Sequence, residues 1–567
     1  MAITIELQPK DFQPVYNPVM MVLNSTKKTK PNFQFRIDVN IDGVFSSRLK
    51  VSPNIDGYAV VDLSHHIEPY VSYNLDYDER GIFQLMQDSF IKYDVTLAEQ
   101  YVNEFSGVAT NNGGTLLWTS SGHGLVPGDE IKITGSTVPA YDGYVTVNTV
   151  PSTSSFTTSQ VYTANAVATS IVKADGSATI FDSATVFTGD KFAVNTSLGF
   201  YEVNNFDPST YTLDIAEPGQ LLSTIPTTNK LVGENDRIWS NFYNNTNSIA
   251  EYLKVVSDNG EYLFENPYAA TSDGTKFLTI GVGPWNIKRG NDDVTILSGT
   301  LPMIDSSTQN YSVQLLDSTQ TPTSETISFK LNKPCSRFET YRMIYLDKMG
   351  SWLNVNFSLA STKKSKIKRK TYKKNFGSYD SVANTYGWNT YDRGKTHLSS
   401  DITDSFTIQT DYVNEDIGQQ VIDMIESSEV YHLTEETFER QERAIVANPS
   451  GYQNAGGFER FLLTTNSDIQ AGDIIEIVGI SPAIDGVKVV TQVVGPGADI
   501  RCNTPFTGIA VVPPGAKVYG DVSISGGELR AVNITSNSVT EKTRLKDKLI
   551  QYKVNFEYSS KNGVQRG

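Results

Sequence analysis

Apolar and polar residues alternate with a period of two through most of this chain. Between residues 33 and 41, every odd-numbered residue is Phe, Ile or Val, and Asp42-Gly43 follows directly. Residues 90–102 and 549–560 show the same alternation. This period predicts half-buried β-strands, and an Asp-Gly pair between two such runs predicts a hairpin. The expected fold class is mainly β, a multidomain protein built of antiparallel sandwiches or small barrels.

One segment departs from this period and predicts a helix over 415–430. Its apolar residues recur at spacings that place them on one face of a helix: Ile417, Val421, Met424 and Ile425. Such an amphipathic helix is expected to pack against a sheet. A short helical turn is also expected near Ser64, which makes one or two short helices in all.

A longer pattern occurs twice, in residues 122–150 and 471–494, and more loosely in 188–206. Each clear copy has Gly-Asp, an alternating apolar run, Gly, an Asp-Gly turn and a second alternating run. Glycine permits turn conformations that other residues resist, and Asp accepts backbone N–H groups there. The pattern predicts a small β-barrel or sandwich whose turn residues are Gly128, Asp129, Asp142, Gly143, Gly472, Asp473, Asp485 and Gly486.

Composition changes along the chain suggest that these units are β modules inserted into a scaffold. Loop ends that already lie close together tolerate such insertions. The expected scaffold parts are 1–106, 233–447 and 516–567, and the expected modules are 107–172, 173–232 (the looser copy) and 448–515.

Charge and cysteine content limit the classes of protein to consider. The formal net charge of −16 argues against general coating of nucleic acid. The two cysteines, Cys335 and Cys502, provide no disulfide framework, so reduced thiols made in a cytoplasm are expected. The N-terminus lacks a signal-peptide pattern, and no stretch approaches the ~20 apolar residues of a membrane span.

Catalytic and metal-binding motifs are missing from the sequence. It contains no P-loop, HExxH, GxSxG or CxxC pattern. His123 lies near Asp129, but the second clear copy of the module lacks this histidine, so a turn role is expected for it. A non-enzymatic protein without cofactor or metal is therefore expected.

A basic run over 362–374 carries eight positive charges and no acidic residue. In an acidic protein, such a run suits docking onto an acidic subunit. A solvated strand and a nucleic-acid contact are the alternatives. The candidate docking residues are Lys363, Lys364, Lys366, Lys368, Arg369, Lys370, Lys373 and Lys374.

The module pattern resembles a short unit found in tail and fibre proteins of many phages, over residues 115–160, 458–508 and 180–214. Four scaffold stretches resemble a structural virion protein, a tail or neck ring protein, of tailed phages of Bacteroidota, crAss-like phages among them. These stretches are 14–43, 49–72, 338–374 and 545–559.

The resemblance implies a virion component of the tail or neck, made in the host cytoplasm and present as a ring of copies. The implied partners are copies of itself and other phage tail, neck or portal proteins. DNA passing through a lumen and host glycan are further candidates, and no membrane span is expected. In a ring, each copy uses a heterologous interface that closes on itself.

The alternative function is a host-surface glycan-binding tail protein that uses the small β modules. Sugar sites favour exposed aromatic rings, and the first module offers Trp118, Tyr141, Tyr144 and Tyr162. The second clear copy has Ile484 and Val487 in place of the first tyrosine pair, which argues against a glycan role shared by both modules.

Overall fold

The computed structural model describes most of the chain. The described residues are 3–73, 82–86, 88–173, 179–185, 187, 189–244, 249–269, 275–289, 294–299, 303–304, 307–332, 338–413, 415–434, 437–447, 451–465, 469, 473–494, 498–508, 511–525, 527–536, 550–560 and 564–566.

The described strands are, in chain order, β1 (Ile3–Leu7), β2 (Phe12–Pro14), β3 (Met20–Ser25), β4 (Gln34–Ile41), β5 (Val44–Val51), β6 (Ala59–Asp62), β7 (Phe83–Leu85), β8 (Phe90–Tyr101), β9 (Phe105–Asn112), β10 (Thr115–Thr119), β11 (Glu130–Thr134), β12 (Gly143–Ser152), β13 (Ser155–Val161), β14 (Ala166–Lys173), β15 (Thr179–Thr185), β16 (Lys191–Val194), β17 (Lys230–Val232), β18 (Trp239–Tyr243), β19 (Tyr252–Ser257), β20 (Gly260–Glu265), β21 (Phe277–Gly281), β22 (Val294–Gly299), β23 (Asn310–Leu316), β24 (Ile327–Leu331), β25 (Tyr341–Leu346), β26 (Trp352–Phe357), β27 (Thr362–Lys373), β28 (Ser378–Asp380), β29 (Thr385–Gly387), β30 (Lys395–Gln409), β31 (Val430–Leu433), β32 (Thr437–Ala444), β33 (Tyr452–Ala455), β34 (Phe458–Leu462), β35 (Ile474–Val478), β36 (Gly486–Val494), β37 (Asp499–Pro505), β38 (Lys517–Ser525), β39 (Leu529–Ile534), β40 (Lys553–Tyr558) and β41 (Val564–Arg566).

Helices are few and short in the described residues: α1 (Ser64–Ile67), α2 (Phe200–Asn205), α3 (Pro284–Arg289) and α4 (Glu415–Glu426). The predicted mainly β fold class is confirmed: the structure has several sheets, one small barrel and few short helices, four in the described residues where one or two were expected. The predicted helix over 415–430 is α4, which ends earlier, at Glu426. Just past this end, the Ser427 hydroxyl donates to Leu346 O at 2.8 Å, and the chain then enters β31.

By its backbone contacts the chain divides into two compact units, residues 1–74 with 87–208, and residues 75–86 with 209–567. In the first unit, the three-stranded sheet β1-β3-β6 faces the sheet β2-β16-β8-β4-β5 across one apolar core. Alternate residues of β3, β4 and β8 fill this core, among them Met21, Phe35 and Val95. The alternation in the sequence therefore corresponds to the inner faces of a sandwich.

The first inserted module is a closed six-stranded barrel in the order β10-β13-β12-β11-β14-β9. It spans 105–173, against the expected 107–172. Strand β9 closes the barrel because it pairs with β10 on one side and with β14 on the other. Trp118, Ile133 and Phe156 are buried inside.

The expected second module over 173–232 does not form a separate barrel in the described residues. Strand β15 instead pairs with β8, and β16 lies between β2 and β8 in the first sandwich. The Gly-Asp turn at 189–190 thus connects two scaffold strands. The pattern correctly predicted strands in this segment, but β15 and β16 pair with scaffold strands rather than with each other.

The second unit has a larger sandwich at its centre. One sheet has the order β17-β24-β23-β19-β20-β22, and the other runs β27-β30-β40-β39-β31-β25-β26-β18-β21-β7, with β41 beside β30. A single core joins the two sheets and includes Tyr262, Phe329 and Leu353. Helix α4 packs against β25 and β26.

The last inserted module, residues 437–525, has the strand order β32-β38-β35-β36-β37-β34-β33. An antiparallel bridge between Ile445 and Leu463 brings the end of β32 onto the continuation of β34. Strand by strand this is the order of the first barrel, with β32 and β33 together in the place of β9. The two sequence copies therefore share one topology.

Each of these two modules enters at the end of a pair of antiparallel scaffold strands. Tyr101 at the end of β8 pairs with Thr179 at the start of β15. Leu433 at the end of β31 pairs with Leu529 at the start of β39. The ends of each insert are thus held at the separation of two neighbouring strands.

Replacing residues 104–176 by two glycines should leave the first sandwich folded, because β8 and β15 already hold the two chain ends together. We expect the shortened chain to keep a cooperative thermal transition and resistance to limited proteolysis.

The matched deletion removes residues 179–194, which the sequence assigns to a similar module. Because β15 and β16 belong to the sandwich, we expect this deletion to abolish cooperative unfolding of the first unit. Equal tolerance of both deletions would contradict the strand assignment.

Candidate functional site

The basic run forms β27, an edge strand in which all twelve residues are exposed. It pairs with β30 from Thr362 opposite Thr407 to Lys373 opposite Lys395. We call residues 362–409 the basic arm. At the usual rise of a strand, β27 alone spans roughly 40 Å. A strand of this length with both faces in water contributes little to the core of its own chain.

The two faces of β27 differ in charge. One face carries Lys364, Lys366, Lys368 and Lys370, opposite Ser405, Thr403, Asp401 and Ser399 of β30. In the described part of the chain, none of these four lysines has a carboxylate oxygen within 4.0 Å. Residues two apart on a strand share a face, so the four charges lie in one row. We call this row the lysine face.

The other face of β27 is partly neutralised near its base. Lys363 Nζ lies 2.8 Å from Asp404 Oδ2, and the Ser365 hydroxyl donates to Asp404 Oδ1 at 2.6 Å. The hydrogen bond to Asp404 raises the pKa of Lys363. The remaining basic residues of the run, Arg369, Lys373 and Lys374, are exposed.

The tip of the basic arm is aromatic, a feature that our sequence analysis missed. Strands β28 and β29 form a small hairpin there, beyond the end of β27. Trp388 and Tyr391 are 66% and 77% exposed, and further exposed apolar side chains at the tip are Phe376, Tyr379, Val382 and Tyr386. The signal was present as six such residues within 376–391. Large exposed apolar groups in one place are typical of an interaction site.

The base of the basic arm is fixed by an aromatic cluster. The Phe406 and Phe556 rings stack at 4.9 Å between centroids, and Tyr341 stacks on His432 at 5.0 Å. His432 Nδ1 lies 2.9 Å from the Tyr558 hydroxyl. Because Phe406 is opposite Lys363 in the ladder, this cluster lies where the arm leaves the sandwich.

Burial lowers the pKa of His432 to about 4, and the charges of Arg530 and Arg342 act in the same direction. The unfolded chain takes up this proton near pH 6.5, so folding loses stability as the pH falls from about 6.5 to about 4. We expect His432→Gln to reduce this loss by about 3 kcal/mol at pH 4. Urea unfolding at a series of pH values measures it.

The exposed His397 provides the matched control, since it lies on the arm outside the aromatic cluster. His432→Gln should change the pH dependence of unfolding more than His397→Gln does. An equal effect from both substitutions would contradict the role given to His432.

The predicted turn residues of the modules occupy equivalent places. Asp142 accepts the Ser136 N–H at 2.8 Å. Asp485 accepts the N–H groups of Gly479, Ile480 and Ser481 at 3.0, 2.8 and 3.2 Å. In both modules the aspartate side chain therefore closes the loop that joins the two central strands.

The glycine after each aspartate begins the next strand. Gly143 and Gly486 have φ of 125° and 132°, a region that favours glycine, and each pairs with the isoleucine two residues before the loop. The paired isoleucines are Ile133 and Ile477. Because both modules share this register, the Asp-Gly pair has the same structural role in each.

The Gly-Asp pair at the other end of the module also has a structural role. Gly128 has φ of 92°, and Asp129 accepts the Val126 N–H and contacts Lys173 Nζ at 3.0 Å. The Asp473 carbonyl accepts the Val490 N–H at 2.9 Å, as that of Asp129 accepts the Val147 N–H. Gly472 lies outside the described residues.

Asp485→Ala removes the acceptor for three backbone N–H groups and should destabilise the last module by roughly 2 kcal/mol. Asp142→Ala removes one such acceptor and should cost about 1 kcal/mol in the first barrel. Hydrogen exchange of the amides in 474–494 and 130–152 measures each effect locally.

Asp485→Asn keeps one acceptor oxygen and serves as the conservative control. It should lose less stability than Asp485→Ala. Faster exchange outside the mutated module would contradict a local turn role.

His123 is buried, and both of its ring nitrogens make contacts that hold the local structure. Its Nδ1 accepts the Leu125 N–H at 3.1 Å, its Nε2 lies 3.2 Å from Ser152 O, and its ring packs on Phe156. This arrangement holds the entry loop of the barrel against β12 and β13.

The aromatic residues proposed for glycan binding are not brought together on one surface. Trp118 and Tyr141 are buried in the barrel core, where their rings meet edge to face. The Tyr141 hydroxyl donates to Ala164 O. Of the predicted set, Tyr144 is exposed, and Tyr162 is partly buried. Barrel closure turns the larger rings inward, which removes the predicted sugar platform.

Within the described ranges, no cluster of three His, Cys, Asp or Glu side chains is placed to hold a metal ion. Cys502 is a buried free thiol whose pKa is raised by burial. Cys335 lies outside the described residues. Among the helices that are described, none is long and apolar enough to cross a membrane.

No protein-family model matches this chain, and no curated relative matches it. Among solved structures, it is similar to Phage phi92 endosialidase, with 11% sequence identity and a TM-score of 0.15. That similarity covers 96% of this chain and 71% of the endosialidase chain. A TM-score this low does not indicate a shared fold.

Proposed function

We propose that this protein is a non-enzymatic structural component of a phage tail or neck. It is made in the host cytoplasm and enters the virion as a ring of copies in contact with other tail, neck or portal proteins. The basic arm carries the proposal, because its edge strand β27 is long and is exposed along its whole length. The resemblance of the scaffold segments to tail and neck ring proteins supports the phage assignment.

The open edge of β27 supports assembly through the arm. An edge strand presents unpaired N–H and C=O groups that can accept a strand from another chain. Strands β27 and β30 have little core of their own along the arm, where in the described structure only the short β41 joins them at Ser399–Asp401, so a partner that covers them adds order as well as contact.

Charge distribution favours a second copy as the partner of the lysine face. Residues 362–409 contain ten basic and four acidic residues, a net charge of +6, which leaves −22 on the rest of the chain. The positive arm of one copy can therefore attract the negatively charged remainder of the next copy. This contact is head to tail, as a ring requires. The two inserted modules then act as spacers or surface decoration.

Reversing three charges of the lysine face tests this role. The triple variant Lys364→Glu, Lys366→Glu and Lys368→Glu should weaken self-association of the full chain by roughly ten- to a hundredfold. Sedimentation velocity at low and moderate salt measures the association, and the loss should be greatest at low salt.

A matched control reverses three exposed lysines outside the arm, Lys27, Lys50 and Lys132, with the same change in net charge. The control should associate like the original chain. Unchanged association of the arm variant would exclude the docking role. Loss of DNA binding with intact self-association would assign the lysine face to nucleic acid instead.

A further inference from the structure

The tip of the basic arm, residues 375–394, exposes six apolar side chains in one short segment. Their exposed fractions range from 43% for Phe376 to 96% for Val382. Side chains this exposed contribute little hydrophobic stabilisation to their own chain. Apolar groups gathered at the end of an arm favour contact with another molecule.

The tip is held in one conformation by contacts within itself. Strands β28 and β29 pair across it, and the Tyr386 hydroxyl donates to Phe376 O. The Phe376 and Trp388 rings meet edge to face at 6.1 Å between centroids. Asp380 Oδ1 accepts the Val382 N–H at 2.8 Å. A surface ordered in advance loses less conformational entropy when it binds.

The charge of the tip does not suit nucleic acid or an anionic membrane. Residues 375–394 contain one basic and two acidic residues, a net charge of −1. Sites for single-stranded nucleic acid and for anionic lipid combine aromatic rings with many Lys or Arg side chains. Here Lys374 and Lys395 flank the tip and do not alternate with its rings.

The polar groups of the tip are also poorly placed to bind a sugar, because internal contacts already use them. Asp392 Oδ2 accepts the Asn389 N–H at 2.7 Å, and Asn384 Oδ1 accepts the Tyr379 hydroxyl at 2.5 Å. A patch of Trp, Tyr and Phe with few charges is typical of the centre of a protein interface.

A second copy of this chain is the protein partner that the rest of the arm favours. The lysine face lies on the same strand pair, and the chain outside the arm carries a charge of −22. At the usual rise of a strand, roughly 20 Å separates Lys370 from Phe376, which is less than the width of a folded domain. A copy that contacts the lysine face is therefore within reach of the tip.

We propose that the aromatic tip binds a second copy of this chain and holds the arm on it. The inference rests on the proposed assembly role and divides that role between two parts of the arm. The lysine face attracts the partner over a distance, so it controls the association rate and is sensitive to salt. The apolar tip controls the dissociation rate and is insensitive to salt.

The double variant Trp388→Ala and Tyr391→Ala tests this division in the full chain. It should weaken self-association about tenfold or more, through faster dissociation, at both low and moderate salt. Sedimentation velocity measures the association, and biolayer interferometry measures the dissociation rate.

Two further variants separate binding from folding of the tip. Val382→Asn adds a polar group at a side chain that is 96% exposed, so it should weaken association several-fold without disturbing the tip. The matched control is Phe200→Ala with Tyr201→Ala, two rings that are 76% and 81% exposed outside the arm. The control should associate like the original chain.

Photo-crosslinking identifies the partner directly. A benzophenone amino acid at position 391 is placed in the full chain, and equal amounts of ¹⁴N- and ¹⁵N-labelled protein are mixed. Crosslinked peptides that combine the two labels are expected, because the tip contacts another copy. Crosslinks confined to one label would overturn the proposal.

The variants also separate this inference from the assembly role. If the lysine-face variant weakens association and the tip variants do not, this inference alone is wrong. If the full chain does not self-associate, both are wrong. Loss of oligo(dT) or maltose binding in the tip variants, with unchanged self-association, would assign the tip to nucleic acid or sugar and overturn the proposal.

Discussion

Pairing between scaffold strands that are distant in sequence is the constraint on which this molecule depends. Tyr101 pairs with Thr179 across the first barrel, and Leu433 pairs with Leu529 across the last module. Because the ladder holds each pair of chain ends together, closing the inserted loop costs the scaffold little extra entropy. The sheets are therefore continuous in space although the scaffold is discontinuous in sequence, and each module is free to fold around its own core.

The same ladders explain how a solvent-exposed arm keeps a defined direction. The second half of β30 pairs with β40 inside the sandwich, where Phe406 stacks on Phe556. The first half of β30 continues beyond the core and carries β27 with it. One strand thus belongs to both the core and the arm, so the arm is rigid at its base. A preorganised arm loses less conformational entropy on docking than a disordered tail would.

Local patterns in the sequence predicted the elements better than they predicted the partners of those elements. The alternation and the Asp-Gly turns identified the strands of both barrels, since hairpins are set by neighbouring residues. The same chemistry at 188–206 misled, because β15 and β16 pair with β8 rather than with each other. Trp118 and Tyr141 were expected at the surface but are buried. Barrel closure decides which side of a strand is buried, and closure depends on pairing between distant strands.

The features that best indicate function are those that cost the isolated chain free energy. Trp388 and Tyr391 expose large apolar surfaces at the tip of the arm, and Gln420 and Asn354 bury polar atoms without partners. Neither arrangement is favourable in the chain alone. The first arrangement has a local signal, since the six exposed apolar residues of the tip lie within 376–391, whereas the second depends on distant contacts: Gln420 accepts from Lys230, 190 residues away. Residues that depart from the burial and hydrogen-bonding pattern of the rest of the sandwich are therefore the first candidates for contacts with other molecules.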